Sequence, residues 1–346
     1  MDVRETPEQA ELRRTALQLA RELGPRTVAD LDDEKRGERL TRAVADAGWL
    51  ELRDDDGEGQ PLAGGVEAGI IADSLASAVA DVAFAGPVLA ADLARRAGAD
   101  ATDAAAVAFG ADLSGPALAS AAAAGDPLYA VDAGGPGDFA YLLAAEGEDF
   151  QLVRIALASP ESGADLGRRI RRPTANARPV EVPGARRTLG RDALRSWNAL
   201  GLALTSADLV GGMRGLLDLC TAYASERRQY GVPIGSFQAV QHLLAESRCL
   251  LEGSHSAALY AAWAVDALDP AEAESAGRVA KAYAARAARS VCETAVQVHG
   301  GMGNTWECLV HVYLRRALLS SQWFGDDGAQ LLALQQGRLG GAHGLS

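Results

Sequence analysis

Apolar residues recur at three- and four-residue spacing at both ends of this chain, and that period predicts helices there. Near the N-terminus Leu12, Ala16, Leu19 and Leu23 mark one helical face. Thr6 and Gln9 stand three apart as a capping box, Pro7 suits the first helical position, and Gly24-Pro25 ends the segment. Further helices are expected over 35–47, from Glu67 to Val79 and from Pro87 to Ala97, with an acidic, Gly-rich loop at 54–65. The period fades between Ala105 and Val182. Short apolar runs replace it: Ala106 to Phe109, Leu128 to Val131, Phe139 to Leu143, Phe150 to Leu157 and Pro179 to Val182. Gly- and Pro-rich punctuation separates them, which predicts a small antiparallel β domain or barrel.

Helical spacing returns after Arg191. Leu209, Val210, Met213, Leu216, Leu217, Cys220 and Tyr223 share a face, and Gln238 to Leu251 continues in the same way. Asp269-Pro270-Ala271-Glu272 starts a helix that runs to His299, and another covers Leu309 to Leu319. Four such helices in antiparallel order make a bundle. Gly340 to Ser346 reads as a loose tail, and no repeat of solenoid length is present. The expected class is α+β, mainly α: an N-terminal helical domain over 1–104, a middle β domain over 105–190, and a C-terminal four-helix bundle over 191–346.

Composition adds limits. With 346 residues the chain can bury a substantial core, and its abundant Ala lets helices approach closely. A formal charge of −13 argues against nucleic acid as a partner. Cys220, Cys249, Cys292 and Cys308 are scattered without a C-x-x-C, so they are expected to be small buried hydrophobes, not metal ligands or disulfides. The polar N-terminus carries no signal peptide, and no apolar run is long enough to span a bilayer, so a cytoplasmic protein is expected. Arg168, Arg169, Arg171 and Arg172 form a basic run, read as a solvated loop or edge, with contact to a ligand's phosphates as the alternative.

The candidate chemistry lies in two stretches. One runs Gln297-Val-His-Gly-Gly-Met-Gly303, where a helix ends at closely spaced glycines. Bare backbone N–H groups at such a junction can hold a phosphate, although a glycine C-cap explains the same residues. The other, upstream, runs Glu226-Arg227-Arg228-Gln229-Tyr230-Gly231-Val232-Pro233-Ile234-Gly235-Ser236-Phe237-Gln238. Together, in this order and separation, they resemble the acyl-CoA dehydrogenase family, which shows E-R-x-x-[FY]-G-x-x-[IL]-x-x-x-Q followed by Q-x-x-G-G-x-G. The resemblance is strong after about residue 200 and weak before it.

The resemblance implies FAD as cofactor, an acyl-CoA as substrate and electron-transfer flavoprotein as acceptor. In the family, the bundle of one subunit holds the adenosine-diphosphate end of an FAD bound mostly by its neighbour. By position, Arg227 would pair with the pyrophosphate, Gln229 would hydrogen-bond near it, and Tyr230 would pack against the cofactor. Gln238 and Gln297 would contact the adenosine end, with Gly300 and Gly301 allowing close approach. His299 and His242 are read as structural.

The family's catalytic Glu has no counterpart. Aligning Leu314-Arg315-Arg316-Ala317 puts Phe324 at the usual position of that Glu, and the position used by branched-chain members falls on Gly201. Asp326, Asp327 and Asp208 are displaced carboxylates; Glu307 matches an acidic position without the base role. The Trp-x-Ser/Thr strand that holds the flavin ring is missing, and Ala111 to Pro116 stands where the family's T-E-P-x-x-G-S-D loop would be. This asymmetry, with the resemblance, implies the short non-catalytic subunit of an actinobacterial α2β2 heterotetramer acting on steroid side-chain CoA thioesters, with a catalytic partner subunit supplying the Glu. The alternatives are a homo-oligomeric enzyme with a displaced base such as Asp326 or Asp208, and a non-enzymatic scaffold without FAD.

Overall fold

A computed structural model describes residues 4–99, 104–134, 137–161 and 163–342. Helices α1 (Pro7–Leu23), α2 (Glu34–Asp46), α3 (Gly65–Ser77) and α4 (Ala85–Ala97) form the N-terminal layer. The expected capping box is present: Thr6 Oγ1 accepts from Gln9 N at 3.2 Å and Gln9 Oε1 accepts from Thr6 N at 3.0 Å. These reciprocal bonds satisfy donors that a helix start leaves bare.

The middle of the chain is a six-stranded sheet in the order β5-β2-β1-β3-β4-β6. Its strands are β1 (Ala104–Phe109), β2 (Tyr129–Val131), β3 (Phe139–Glu146), β4 (Asp149–Ala156), β5 (Ile170–Arg171) and β6 (Val180–Glu181). Two features correct the expectation of an antiparallel domain. β1 pairs with β3 in parallel, and a short helix α5 (Ala119–Ala124) lies in the connection after β1. β1 is buried along its whole length, as a strand covered on both faces must be.

Next come α6 (Arg191–Glu226), the hairpin β7 (Arg228–Gln229) and β8 (Val232–Pro233), α7 (Gln238–Ala267), α8 (Pro270–His299), α9 (Val310–Gln322) and α10 (Asp327–Ala342). The first four of these helices supply the expected bundle. α10 is a fifth, lying against α8, and it takes up Gly340–Ala342 of the anticipated tail; residues 343–346 lie outside the described set. Asp269 starts α8 by accepting the N–H groups of Ala271 and Glu272, both at 3.0 Å.

α6 is the axis of the molecule. Gly201 to Gly211 is buried without interruption, so this span shows no polar face. It touches α3 through two glycines one turn apart: a Cβ on Gly211 would stand 2.0 Å from Asp73 O, and one on Gly215 would stand 1.9 Å from Ser77 O. Backbone meets backbone there, which only glycine allows. Gly215→Ala is therefore expected to push α3 away and to cost about 1–3 kcal/mol, measurable as a lower melting temperature. One continuous apolar cluster joins α2, α4, β1, α6 and the segment after α9, so the layers share a core. Of the cysteines, Cys220 and Cys292 are buried as expected, Cys308 is half-buried and Cys249 is exposed. Among the described residues no helix is long and apolar enough to cross a membrane, and no cluster of potential metal ligands occurs.

Candidate functional site

The first stretch folds into a tight hairpin at the end of α6. Gln229 pairs with Val232, leaving Tyr230 and Gly231 as a two-residue loop with φ of +50° and +83°. Positive φ at both central residues is the hairpin-favouring turn, and it is strained for a bulky side chain. Tyr230 is 94% exposed, so little packing inside the chain offsets that strain. Such a residue is suited to contact something outside its own chain. Arg227, Gln229, Gln238 and Gln297 are also exposed, and their side chains make no hydrogen bond or ion pair among the described residues.

The glycine turn lies at the end of α8. Gly300 caps that helix with φ of +59°, its N–H donating back to Val296 and Gln297. Capping explains Gly300. It does not explain Gly301, which has no positive φ and where an added Cβ would meet nothing within 4 Å. The open space over both glycines leaves the backbone accessible to a ligand. Tyr223, three residues before the first stretch, stacks on His299 of the second, with ring centroids 4.3 Å apart and planes 20° apart.

The opposite end of α6 is closed. A Cβ on Gly201 would stand 2.0 Å from Phe324 Cζ and 2.2 Å from Cε1. The two positions aligned with the family's base therefore face each other, and an aromatic ring fills the space between them. Phe109, Trp197, Trp323 and Phe324 form one buried cluster with centroids 5.2 to 6.3 Å apart. Phe324 has φ of +68° and is held by its N–H to Leu113 O at 2.8 Å and its carbonyl to Gln330 Nε2 at 2.5 Å. Leu113 belongs to the Ala111–Pro116 loop, so that loop is latched onto the ring plug.

The three displaced carboxylates, Asp208, Asp326 and Asp327, are each engaged within the chain. Asp208 is sealed beneath α9, where Oδ1 accepts from Arg316 Nη2 at 2.7 Å and from Arg168 Nη2 at 2.8 Å, and Oδ2 accepts from Ser320 Oγ at 2.6 Å. Burial alone would raise its pKa; the two guanidinium groups outweigh that and hold it down to about 2. Asp326 accepts Ala329 N–H at the start of α10, and Asp327 pairs with Arg286 at 3.2 Å. Beside Asp208, buried Lys281 donates to the carbonyls of Ser320 and, at 2.6 Å, of Trp323; burial pulls its pKa down to about 7.

The basic run is corrected by this network. Arg168 and Arg171 are buried, not solvated. Arg168 reaches Asp208 and Ser320, and Arg171 donates to the carbonyls of Ala158 and Gly137. The exposed Arg172 pairs with Glu161. The cavity beside this run, about 930 Å³, is lined by Arg168 and Arg169 but also by Asp32, Asp33, Glu34, Glu38 and Asp165, so acidic groups outnumber basic ones and disfavour CoA phosphates. Sequence alone did not mark Asp208, Arg168, Lys281 and Arg316 as one network, because they lie far apart along the chain.

A pH dependence follows. Asp208 has its pKa lowered below the ordinary 3.8, so the stability it adds is present above about pH 4 and lost as pH falls towards 2. The expected loss is about 2 kcal/mol. Thermal unfolding between pH 5 and 2 is the check, with Asp208→Asn flattening that part of the profile.

Comparison with known proteins fits this geometry. A family model described as acyl-CoA dehydrogenase, C-terminal domain, matches residues 200–339. Acyl-CoA dehydrogenase IpdE2 of Mycolicibacterium smegmatis is 33% identical over 201 residues, spanning 58% of this chain and 59% of that protein. The match thus reaches less than two thirds of the relative's length. Among solved structures, a variant of the Tcur3481-Tcur3483 steroid ACAD shares the fold with a TM-score of 0.77 at 22% identity, over 97% of this chain and 99% of that one. The ChsE4-ChsE5 complex from Mycobacterium tuberculosis gives 0.75 at 21% identity, over 97% and 98%. Residues 200–339 are an acyl-CoA dehydrogenase C-terminal domain, and the whole chain has the acyl-CoA dehydrogenase fold. The resemblance read from the two motifs is borne out.

Proposed function

We propose that this chain is the non-catalytic subunit of a hetero-oligomeric, FAD-dependent acyl-CoA dehydrogenase. One observation carries the reading: the Phe324 ring occupies the space a side chain at Gly201 would need, so both base positions are closed at once. The adenosine-diphosphate side remains open. An exposed Arg227 without a partner in the described chain, a strained and exposed Tyr230, and an unobstructed Gly301 suit a nucleotide diphosphate that is held mainly by another subunit.

In the assembly Arg227 would pair with the pyrophosphate of FAD, with Gln229 beside it. Tyr230 would pack against the cofactor, Gln238 and Gln297 would contact the adenosine end, and Gly300 and Gly301 would let the backbone approach. The chemistry a bound FAD would supply is acceptance of a hydride from the β carbon of the thioester. The partner supplies the flavin-ring pocket, the thioester site and the Glu that takes the α proton. The substrate class is a bulky CoA thioester of the steroid side-chain kind, which a neighbouring fold described as a steroid ACAD supports; another neighbour, described as a ChsE4-ChsE5 complex, supports the hetero-oligomer. Electron-transfer flavoprotein is the electron acceptor.

The test is reconstitution. This chain, its partner chain and the two together are assayed for acyl-CoA oxidation with electron-transfer flavoprotein. Activity confined to the mixture is the expected result. Turnover by this chain alone would restore the homo-oligomeric reading; a partner fully active and flavinated without it would favour a scaffold.

A further inference from the structure

Tyr223 lies one turn before Arg227 and touches both helix ends that carry the open nucleotide cradle. Its carbonyl accepts the Arg227 N–H at 2.8 Å, ending α6. Its ring stacks on His299, which stands two residues after Gln297 and directly before Gly300. Its hydroxyl lies 4.0 Å from Met302 Sδ in the glycine turn. His299 is itself fixed. It is 4% exposed, and its Nδ1 lies 2.9 Å from Ala295 O, which requires the proton on Nδ1. Burial lowers the pKa of His299, which favours the neutral ring. Cys220, one turn before Tyr223, completes the contact with Sγ 3.8 Å from the same nitrogen.

His299 sits at an open position of the second motif, and Tyr223 stands three residues before the first. Yet the motifs lie on different helix ends, and their polar groups serve one ligand only if those ends keep a fixed separation. A misplacement of about 1 Å is enough to spoil such a constellation. We propose that the Tyr223–His299 stack is the positioning contact that sets the distance between Arg227 and the Gln297–Gly301 turn, and so governs FAD affinity without touching FAD. The bland alternative is ordinary packing of a buried histidine at a helix end.

This rests on the functional reading above, and its failure is separable from the failure of that reading. FAD is titrated into the deflavinated hetero-oligomer and followed by flavin fluorescence, with the melting temperature recorded in parallel. Tyr223→Ser is expected to weaken FAD binding about fivefold to tenfold, the worth of one aromatic pair. Tyr223→Phe, which keeps the stack, is expected to stay within about twofold. Cys292→Ala, in the same buried apolar cluster but outside the stack, is expected to lower the melting temperature while leaving FAD affinity intact. FAD loss that follows melting temperature across all three variants would overturn the proposal. So would wild-type affinity in Tyr223→Ser alongside a loss in Arg227→Ala. An Arg227→Ala variant that binds FAD normally would instead sink the functional reading on which the proposal stands.

Discussion

Arg227→Ala is expected to strip FAD from the assembled enzyme while leaving this chain folded. The guanidinium has no hydrogen-bond or ion-pair partner among the described residues and is exposed, so its loss removes nothing from the fold. Unfolding free energy is expected to stay within about 0.5 kcal/mol of the parent. Against a pyrophosphate the same group makes a charge-assisted contact, and truncating one partner of such a pair costs about 2–5 kcal/mol, a weakening of about thirtyfold or more. Flavin absorbance of the hetero-oligomer after gel filtration reads the effect. Arg227→Lys is expected to recover part of it, since an ammonium keeps the charge but loses the two-pronged geometry.

The second large effect is at the plugged end of α6. Restoring a carboxylate at either base position is expected to unfold the chain, not to create activity. Phe324→Glu removes a ring that packs against Phe109, Trp197 and Trp323, and places a charge in the gap. Emptying an aromatic site alone costs about 3–5 kcal/mol, and an unpaired buried carboxylate adds to it. Gly201→Glu is worse, because the first carbon of its side chain already overlaps the Phe324 ring. Denaturant unfolding of both variants checks this; a stable, acyl-CoA-oxidising Phe324→Glu protein would show that the site is merely missing its base.

Much of the helical frame was legible because local rules set it. The Thr6–Gln9 box, the Asp269 cap and the apolar period before Tyr223 each depend on neighbours a few residues away. The glycine cap at Gly300 was legible for a similar reason, whereas the first motif was found by resemblance and its two-residue turn at Tyr230-Gly231 came only with the structure. What stayed hidden is long-range. Asp208 meets Arg316 across 108 positions, and Lys281 reaches Trp323 across 42, so nothing near Asp208 marked it as a neutralised buried charge. The basic run misled for the same cause: Arg168 resembles a surface residue until α9 brings Ser320 to it across 152 positions. The parallel pairing of β1 with β3 depends on a crossover whose turn signals resemble those of a hairpin. That the aligned positions Gly201 and Phe324 face each other, with the ring filling the gap, is a fact of packing that no spacing rule contains.

Flavin stoichiometry tests the central claim most directly. The purified chain alone, and its complex with the partner, are denatured and the released FAD is counted against chain concentration. The account predicts a colourless isolated chain and one FAD for each pair of unlike chains. One FAD per copy in the isolated chain would contradict it.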